Sequence, residues 1–404
     1  MENIMPKILW LSPVSLHDIT SGAALHCRCM LDALSKCGFE IIALTSFAFE
    51  HERARKVVFS NIDQLFEQNP NKKIFELTER KVRYLYVRST AILQSERKLQ
   101  EQNEFFESFL EILNRFKPDL VMGFGKSADC VNCFAEAKRH GIKTVYWLLS
   151  NLEHQYSFPN CDLILSDSYF TAKEYAHIDH INVIPIGAFI EKAQVLAQHK
   201  DPLFVTLINP DFKKGLAIFS KLAHYCSKAR PELKFLVINS QFNFVEQITK
   251  LHDKGDINSH PYRAKDFANV LMADATFDMR LVYEKTKVLS LPLLRYESWC
   301  RVGSEALLNN IPILASNVGA LSEVIGQGGI LLDPPEHCLK DPLSIPSDEE
   351  IKPWFDALEQ LLNNNWEENT QKAIASINKD VLTANLVKLL LPLCDSFDRY
   401  RTNY

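Results

Sequence analysis

Residues 295–335 read RYESWCRVGSEALLNNIPILASNVGALSEVIGQGGILLDPP. Two carboxylates, Glu297 and Glu305, stand eight positions apart near its start. The pattern predicts a strand that turns into a helix starting near Trp299, then a second strand with a Gly-rich turn. A glutamate in the first turns of that helix can accept two hydroxyls at once, which a neutral group does less strongly. The residues between the two acids are Ser298, Trp299, Cys300, Arg301 and Val302. Their backbone N–H groups would form the start of a helix, where anions are favoured. Acids at a helix start are also common on solvated surfaces. What sets this stretch apart is the ordered run that follows: Asn310-Ile311-Pro312-Ile313, Ser316-Asn317-Val318-Gly319 and Glu323.

The rest of the chain sets bounds around this segment. Its 404 residues are 47% hydrophobic and 24% charged, a globular composition with room for two domains. A net charge of −5 argues against a nucleic-acid binder. No apolar run approaches the roughly 18 residues a membrane span needs; Leu386 to Cys394 is broken by Lys388. The opening MENIMPKILWLSP lacks a basic region followed by an apolar core and a cleavage site, and reads as a β-strand, so a cytoplasmic protein is expected. Ten cysteines without a framework pattern are expected to be reduced. Cys130-x-x-Cys133, with His140 nearby, lacks a second ligand pair, and no metal site is expected there.

Short apolar runs alternate with helical patterns, which predicts parallel sheets covered by helices. Strands are expected at 7–11, 40–45, 119–123, 144–149, 163–166 and 183–185, and a helix at 23–37 ending on Gly38. Residues 50–115 read as charged and helix-rich. A connector at 188–202 precedes a second series of strands at 203–208, 234–238, 288–291, 312–315 and 329–332. Closing helices are expected at 351–363 and 368–393. This gives a first domain over 1–190, a second over 200–375, and a C-terminal helical segment over 376–404 crossing back to the first. The fold class is α/β, with two Rossmann-like domains facing across a cleft, and open parallel sheets bind ligands at the carboxyl ends of their strands.

The 295–335 stretch, with Lys214-Gly215 in LINPDFKKG and the segment FDMRLVYEKTK at 277–287, resembles the GT-B glycosyltransferases, specifically the retaining family 4. The resemblance covers most of residues 8–335 and thins over 50–115. It implies a nucleoside-diphosphate-sugar donor with no further cofactor and a metal-independent transfer to a sugar, lipid-linked or protein acceptor. Glu297 would contact the donor sugar and Glu305 the ribose. Lys214 would neutralise the departing diphosphate as a compact charge. The family carries arginine where this chain has Asn209, and glycine where it has Cys300; Lys213 and Arg301 are candidate substitutes for the missing charge. Gly22 lies in the loop after the first strand, which lines the cleft in the family. Asn151 and His154 follow a strand whose successors contact the sugar or acceptor. Arg280 either faces the nucleotide or forms a structural ion pair.

Two alternatives stay open: a non-catalytic GT-B partner subunit, motivated by Asn209 and Cys300, and a nucleotide-sugar epimerase with the same cleft. The family also admits peripheral membrane contact. Residues 51–66 place Arg53, Arg55 and Lys56 beside Val57, Val58, Phe59, Ile62, Leu65 and Phe66, a pattern shared by interfacial and core-packed helices.

Overall fold

The structure, a computed structural model, describes residues 5–50, 52–149 and 154–395. It divides into two compact α/β units. The first takes the described residues up to Ile190 and from Lys379 onward; the second is Glu191–Asn378.

The first unit is built on β1 (Lys7–Leu11), β2 (Glu40–Ser46), β3 (Ile74–Glu79), β4 (Val82–Val87), β5 (Leu120–Gly123), β6 (Lys143–Leu148), β7 (Leu163–Ser166) and β8 (Ile184–Pro185). Their spatial order is β3-β4-β2-β1-β5-β6-β7-β8. Ile8, Leu9, Trp10 and Leu11 are all fully buried, as strands covered on both faces must be. The cover comes from α1 (Gly22–Lys36), α2 (Glu52–Val58), α3 (Ile62–Gln68), α4 (Leu99–Phe116), α5 (Ala128–Arg139) and α6 (Tyr169–Ile178).

Residues 50–115 are helix-rich as read, with α2, α3 and α4, but they also hold a strand pair the sequence did not show. β3 and β4 form an antiparallel hairpin at the sheet edge, so this sheet is mixed. Its two-residue turn, Arg80-Lys81, has positive φ at both positions, 48° and 68°. Such turns are normally signalled by Asn or Gly, and Arg-Lys gives no such signal. The apolar residues of the segment after residue 51 face inward: Ile62 and Phe66 are buried, and Phe59 and Phe66 pack edge-on against Phe47. Val57 remains half exposed.

The second unit contains α7 (Lys192–Val195), β9 (Phe204–Ile208), α8 (Leu216–Ala229), β10 (Lys234–Asn239), α9 (Phe244–Ile248) and β11 (His252–Asp253). It continues with β12 (Val270–Asp274), α10 (Arg280–Lys285), β13 (Thr286–Leu291), α11 (Arg301–Leu308), β14 (Ile313–Ser316), α12 (Leu321–Ile325) and β15 (Gly329–Leu332). Last come α13 (Glu336–Lys340), β16 (Ser344–Ile345), α14 (Asp348–Asn363) and α15 (Glu367–Ile374). The main sheet runs β12-β10-β9-β13-β14-β15, and the pairs within it are parallel. β12 escaped the sequence reading because it is an edge strand with Leu271 and Met272 exposed, so neither face shows a clean alternation.

The closing helical run is two pieces rather than one. α15 ends at Ile374, and α16 (Lys379–Asp395) packs on α1 in the first unit. Leu382, Leu386, Leu390 and Cys394 recur every four residues and form one buried stripe in that unit's core. Gly187 belongs to the same contact: a Cβ there would sit 2.9 Å from Leu382.

Candidate functional site

In the second sheet the chain runs outward from β9 through β10 to β12, then returns to lay β13 on the other side of β9. The carboxyl ends of β9 and β13 therefore flank a topological switch point, where loops diverge and leave a crevice. Two of the sequence motifs occupy the loops leaving these strands.

The loop after β9 is Asn209-Pro-Asp-Phe-Lys-Lys-Gly215. Asn209 adopts φ 66°, a left-handed conformation asparagine tolerates, and turns the chain out of the strand. Asp211 accepts the Lys213 N–H at 2.7 Å and caps a single 3-10 turn over 212–214. Gly215, at φ 82°, ends that turn and opens α8. A Cβ on it would lie 1.7 Å from the Pro292 carbonyl oxygen, so only glycine fits. The Leu294 N–H also donates to the Lys213 carbonyl at 2.9 Å. The Lys-Gly turn is thus clipped to the backbone after β13.

The loop after β13 is held from its other side. Gly319 has φ 61°, and a Cβ there would approach the Glu297 N at 2.9 Å and O at 3.0 Å. The Ala320 N–H donates to the Glu297 carbonyl at 3.2 Å. Between these two glycine contacts the Glu297 side chain meets Lys214, an ion pair joining residues 83 positions apart. The side chains are 15% and 22% exposed, so the pair sits at the surface of the crevice rather than in the core. Arg295, not assigned a role by sequence, adds a second cation at 3.5 Å from the same Glu297 oxygen.

The helix carrying Glu305 begins later than expected. α11 starts at Arg301 with Cys300 as its N-cap, and Trp299 lies outside it, its indole N–H donating to Ser304 Oγ at 3.0 Å. Cys300 is buried, and burial pushes its thiol up to about 12. Ser298 is buried and Val302 is packed against the apolar cluster behind the helix. Glu305 is 4% exposed. Arg301 Nε lies 2.7 Å from its Oε1, and the Tyr283 hydroxyl donates to Oε2 at 2.7 Å. Arg301 thus forms an i,i+4 ion pair with Glu305. A carboxylate offers about four lone-pair positions, so Arg301 and Tyr283 leave acceptor capacity for further hydroxyls. Asn309 fixes the helix end: its Nδ2 donates to the carbonyls of Glu305 and Val195, and its Oδ1 accepts the Ala197 N–H. Tyr283 lies inside the quoted 277–287 segment, but nothing in the local pattern marked its hydroxyl. Burial drives its pKa well above the usual value, with the Glu305 charge adding to that, so it stays a donor.

The other sequence candidates are placed variously. Asn209 Nδ2 donates to Gln241 at 3.2 Å. Lys213 is exposed beside Lys214. Arg280, the first residue of α10, makes two 2.6 Å hydrogen bonds to Asp278 just before the helix. In the first unit, Gly22 is the first residue of α1, after the N-cap Ser21. The loop before it is locked by buried Asp18, which accepts the N–H groups of Thr20 and Glu50. His154 stacks on Tyr175 at 4.7 Å, and its two ring nitrogens face Asp179 and Glu174. That makes it a fastener of its own loop to α6. Asn151 lies outside the described residues. Cys130 and Cys133 are buried thiols raised by burial, and no group of three potential metal ligands occurs among the described residues.

No protein-family model and no curated protein sequence matches the chain. Solved structures do. A glycosyltransferase from Rickettsia africae superposes with a TM-score of 0.64 at 12% identity, over 96% of this chain and 99% of that one. Anabaena HepE in complex with UDP and glucose gives 0.63 at 12% identity, over 95% and 99%. Sucrose-phosphate synthase of Thermosynechococcus elongatus gives 0.61 at 14% identity, over 97% and 100%. With the doubly wound topology of each unit, these likenesses over nearly the whole length show that the chain has the GT-B glycosyltransferase fold, two Rossmann-like units in one polypeptide.

Proposed function

We propose that the chain is a retaining, family 4-like glycosyltransferase, moving a sugar from a nucleoside diphosphate to an acceptor hydroxyl without a metal ion. The observation that carries this reading is the meeting of Lys214 and Glu297 at the switch point, beside the start of the helix that holds Glu305. Lys214 supplies a cation for the leaving diphosphate, with Arg295 and Lys213 nearby. The first N–H groups of α11 add a second source of positive potential. Glu297 contacts the sugar and Glu305 the ribose. In the transfer, the acceptor oxygen bonds to the anomeric carbon on the face from which the phosphate departs. The bond from that carbon to the phosphate oxygen breaks, and that oxygen takes the acceptor's proton. No protein nucleophile is required.

HepE is described with UDP and with UDP-glucose, which makes a uridine nucleotide the first donor to test. The acceptor class, whether sugar, lipid-linked or protein, is left to product analysis; the setting proposed is the cytoplasm, with contact to a membrane surface as a further option. Calorimetric titration with UDP, GDP, dTDP, ADP and CMP identifies the base, and mass spectrometry of acceptor mixtures identifies the product. Lys214→Ala should lower turnover by about 10²–10³-fold, the range seen when one oxyanion-stabilising group is removed. Turnover is expected to survive EDTA. Wild-type turnover in Lys214→Ala would sink the assignment.

A non-catalytic nucleotide-sugar-binding subunit has one observation in its favour: Asn209 stands where the resemblance puts arginine, and its amide is bonded to Gln241. Binding without donor consumption would support it. Donor consumption without a glycosidic product would support the epimerase.

A further inference from the structure

The second unit holds a cavity of about 250 Å³ at the end of its sheet remote from Lys214 and Glu297. Its walls include Pro202, Thr286 and Pro312, which lie at or just before the amino ends of the neighbouring strands β9, β13 and β14. The switch-point loops leave the carboxyl ends of the first two, so a strand length of five or six residues separates cavity from crevice, roughly 17–20 Å.

The lining is part apolar and part polar, and its charged groups are of both signs. Lys200 and Lys287 are exposed, and among the described residues neither side chain makes a hydrogen bond or ion pair. Glu284 also lines the cavity but is paired with Lys285 at 3.2 Å, and Glu367 accepts from Gln371 at 3.4 Å. The partly buried Trp366 offers a flat apolar surface. Two uncommitted ammonium groups suit a phosphate, while the acids and the asparagines suit hydroxyls.

Two wall residues act on Glu305. Tyr283 lines the cavity and donates its hydroxyl to Glu305 Oε2. Asn309 lines it too and donates to the Glu305 carbonyl while holding Val195 and Ala197. An occupant of the cavity would press on the residues that fix the orientation of that carboxylate.

We propose that this cavity is a second binding site, for a small phosphorylated sugar, and that its occupancy changes donor affinity through Tyr283 and Asn309 at Glu305. The binding half stands by itself; the coupling half rests on the donor-site reading. Coupling is reciprocal, and such effects typically change affinity by about 5–150-fold.

The test uses the full chain and glucose 6-phosphate, glucose and inorganic phosphate as probes, titrated calorimetrically without nucleotide. Glucose 6-phosphate should bind, more tightly than either glucose or phosphate. The double variant Lys200→Gln/Lys287→Gln should lose at least tenfold in that affinity, with unchanged UDP binding and unchanged unfolding; Lys200→Arg/Lys287→Arg should retain it. Absence of glucose 6-phosphate binding at millimolar concentration, or equal binding by the Gln variant, overturns the site. A second titration measures UDP affinity with the cavity saturated by glucose 6-phosphate. A shift of fivefold or more is expected, and no shift overturns the coupling. Should none of UDP, GDP, dTDP, ADP and CMP bind while glucose 6-phosphate binds, the donor-site reading falls and the cavity site stands.

Discussion

Tyr283→Phe removes one oxygen atom and adds nothing that could clash. In the native protein that hydroxyl donates to Glu305 Oε2 at 2.7 Å, with Tyr283 2% and Glu305 4% exposed. In the variant the carboxylate oxygen loses its donor where water has little access. A hydrogen bond to a charged group contributes about 1.5–3 kcal/mol, and leaving a buried acceptor unsatisfied costs about 1–3 kcal/mol. Both describe the same loss, so the expected destabilisation is about 2 kcal/mol. For a unit of about 190 residues that lowers the melting midpoint by roughly 4–8 °C. A chain of two units need not unfold in one step, so a global scan blends two transitions. Native-state hydrogen exchange, read on peptides spanning 280–310, isolates the opening of the affected region. The tyrosine stays protonated across neutral pH because its pKa is raised, so the loss should be the same at pH 6 and pH 8. UDP affinity should fall in parallel, since Glu305 loses one of its two fixed partners. A change in local stability below about 0.5 kcal/mol, the level of a surface substitution, would refute the hydrogen bond and the positioning role built on it.

Other substitutions test other joints of the structure. Gly215→Ala should cost about 1–2 kcal/mol for the left-handed backbone alone, before the clash with Pro292 O. It should also part Lys214 from Glu297, visible as lower second-unit stability and lost turnover. In the first unit, Glu79 is held at about 2, against an ordinary 4.5, by its hydrogen bond to His17 and then by the nearby Arg28 charge. A depressed carboxylate stabilises the fold above pH 4.5, and that contribution drains away as pH falls from 4.5 towards 2. His17 is lowered from 6.5 by burial, so protonation of the unfolded chain erodes stability below pH 6.5, in the same direction. Acid unfolding of Glu79→Gln should lose the lower limb of this dependence; an unchanged profile below pH 4.5 would contradict it. Cys37 is the one exposed free thiol among the described cysteines, and burial raises Cys161 to about 12. A thiol reagent should therefore label the native protein rapidly at one site, and mass mapping to Cys130 or Cys133 would contradict their burial.

Much of the architecture was legible along the chain because parallel strands buried on both faces announce themselves as short apolar runs, and β1, β2 and β9 do so. The hairpin β3–β4 was not legible. Its Arg80-Lys81 turn depends on a backbone conformation that those side chains do not advertise. The break between α15 and α16 was hidden for a similar reason: the apolar spacing continues across it, and the two helices part only because they pack in different units. At the site, the residue types and their order were local information. Glu297, Glu305 and Lys214-Gly215 stood in the sequence with the spacing of a strand-to-helix turn and a glycine-bearing loop.

What the sequence alone determined is which chemical groups are present and on which loops they ride. A strand-end lysine, a pair of glutamates around a helix start and the glycines that bend those loops follow from short-range pattern. Only tertiary structure decided their partners, because partners come from contacts across the sheet. β9 and β13 become neighbours through the crossover, and the close approaches at Gly215 and Gly319 then bring Lys214 to Glu297 across 83 residues. Packing of α10 behind α11 likewise gives Glu305 to Tyr283, and packing of a loop on α6 gives His154 to Tyr175, Asp179 and Glu174. Spacing along a chain carries no record of such encounters, since they are set by the three-dimensional arrangement in which both apolar faces of each sheet are buried.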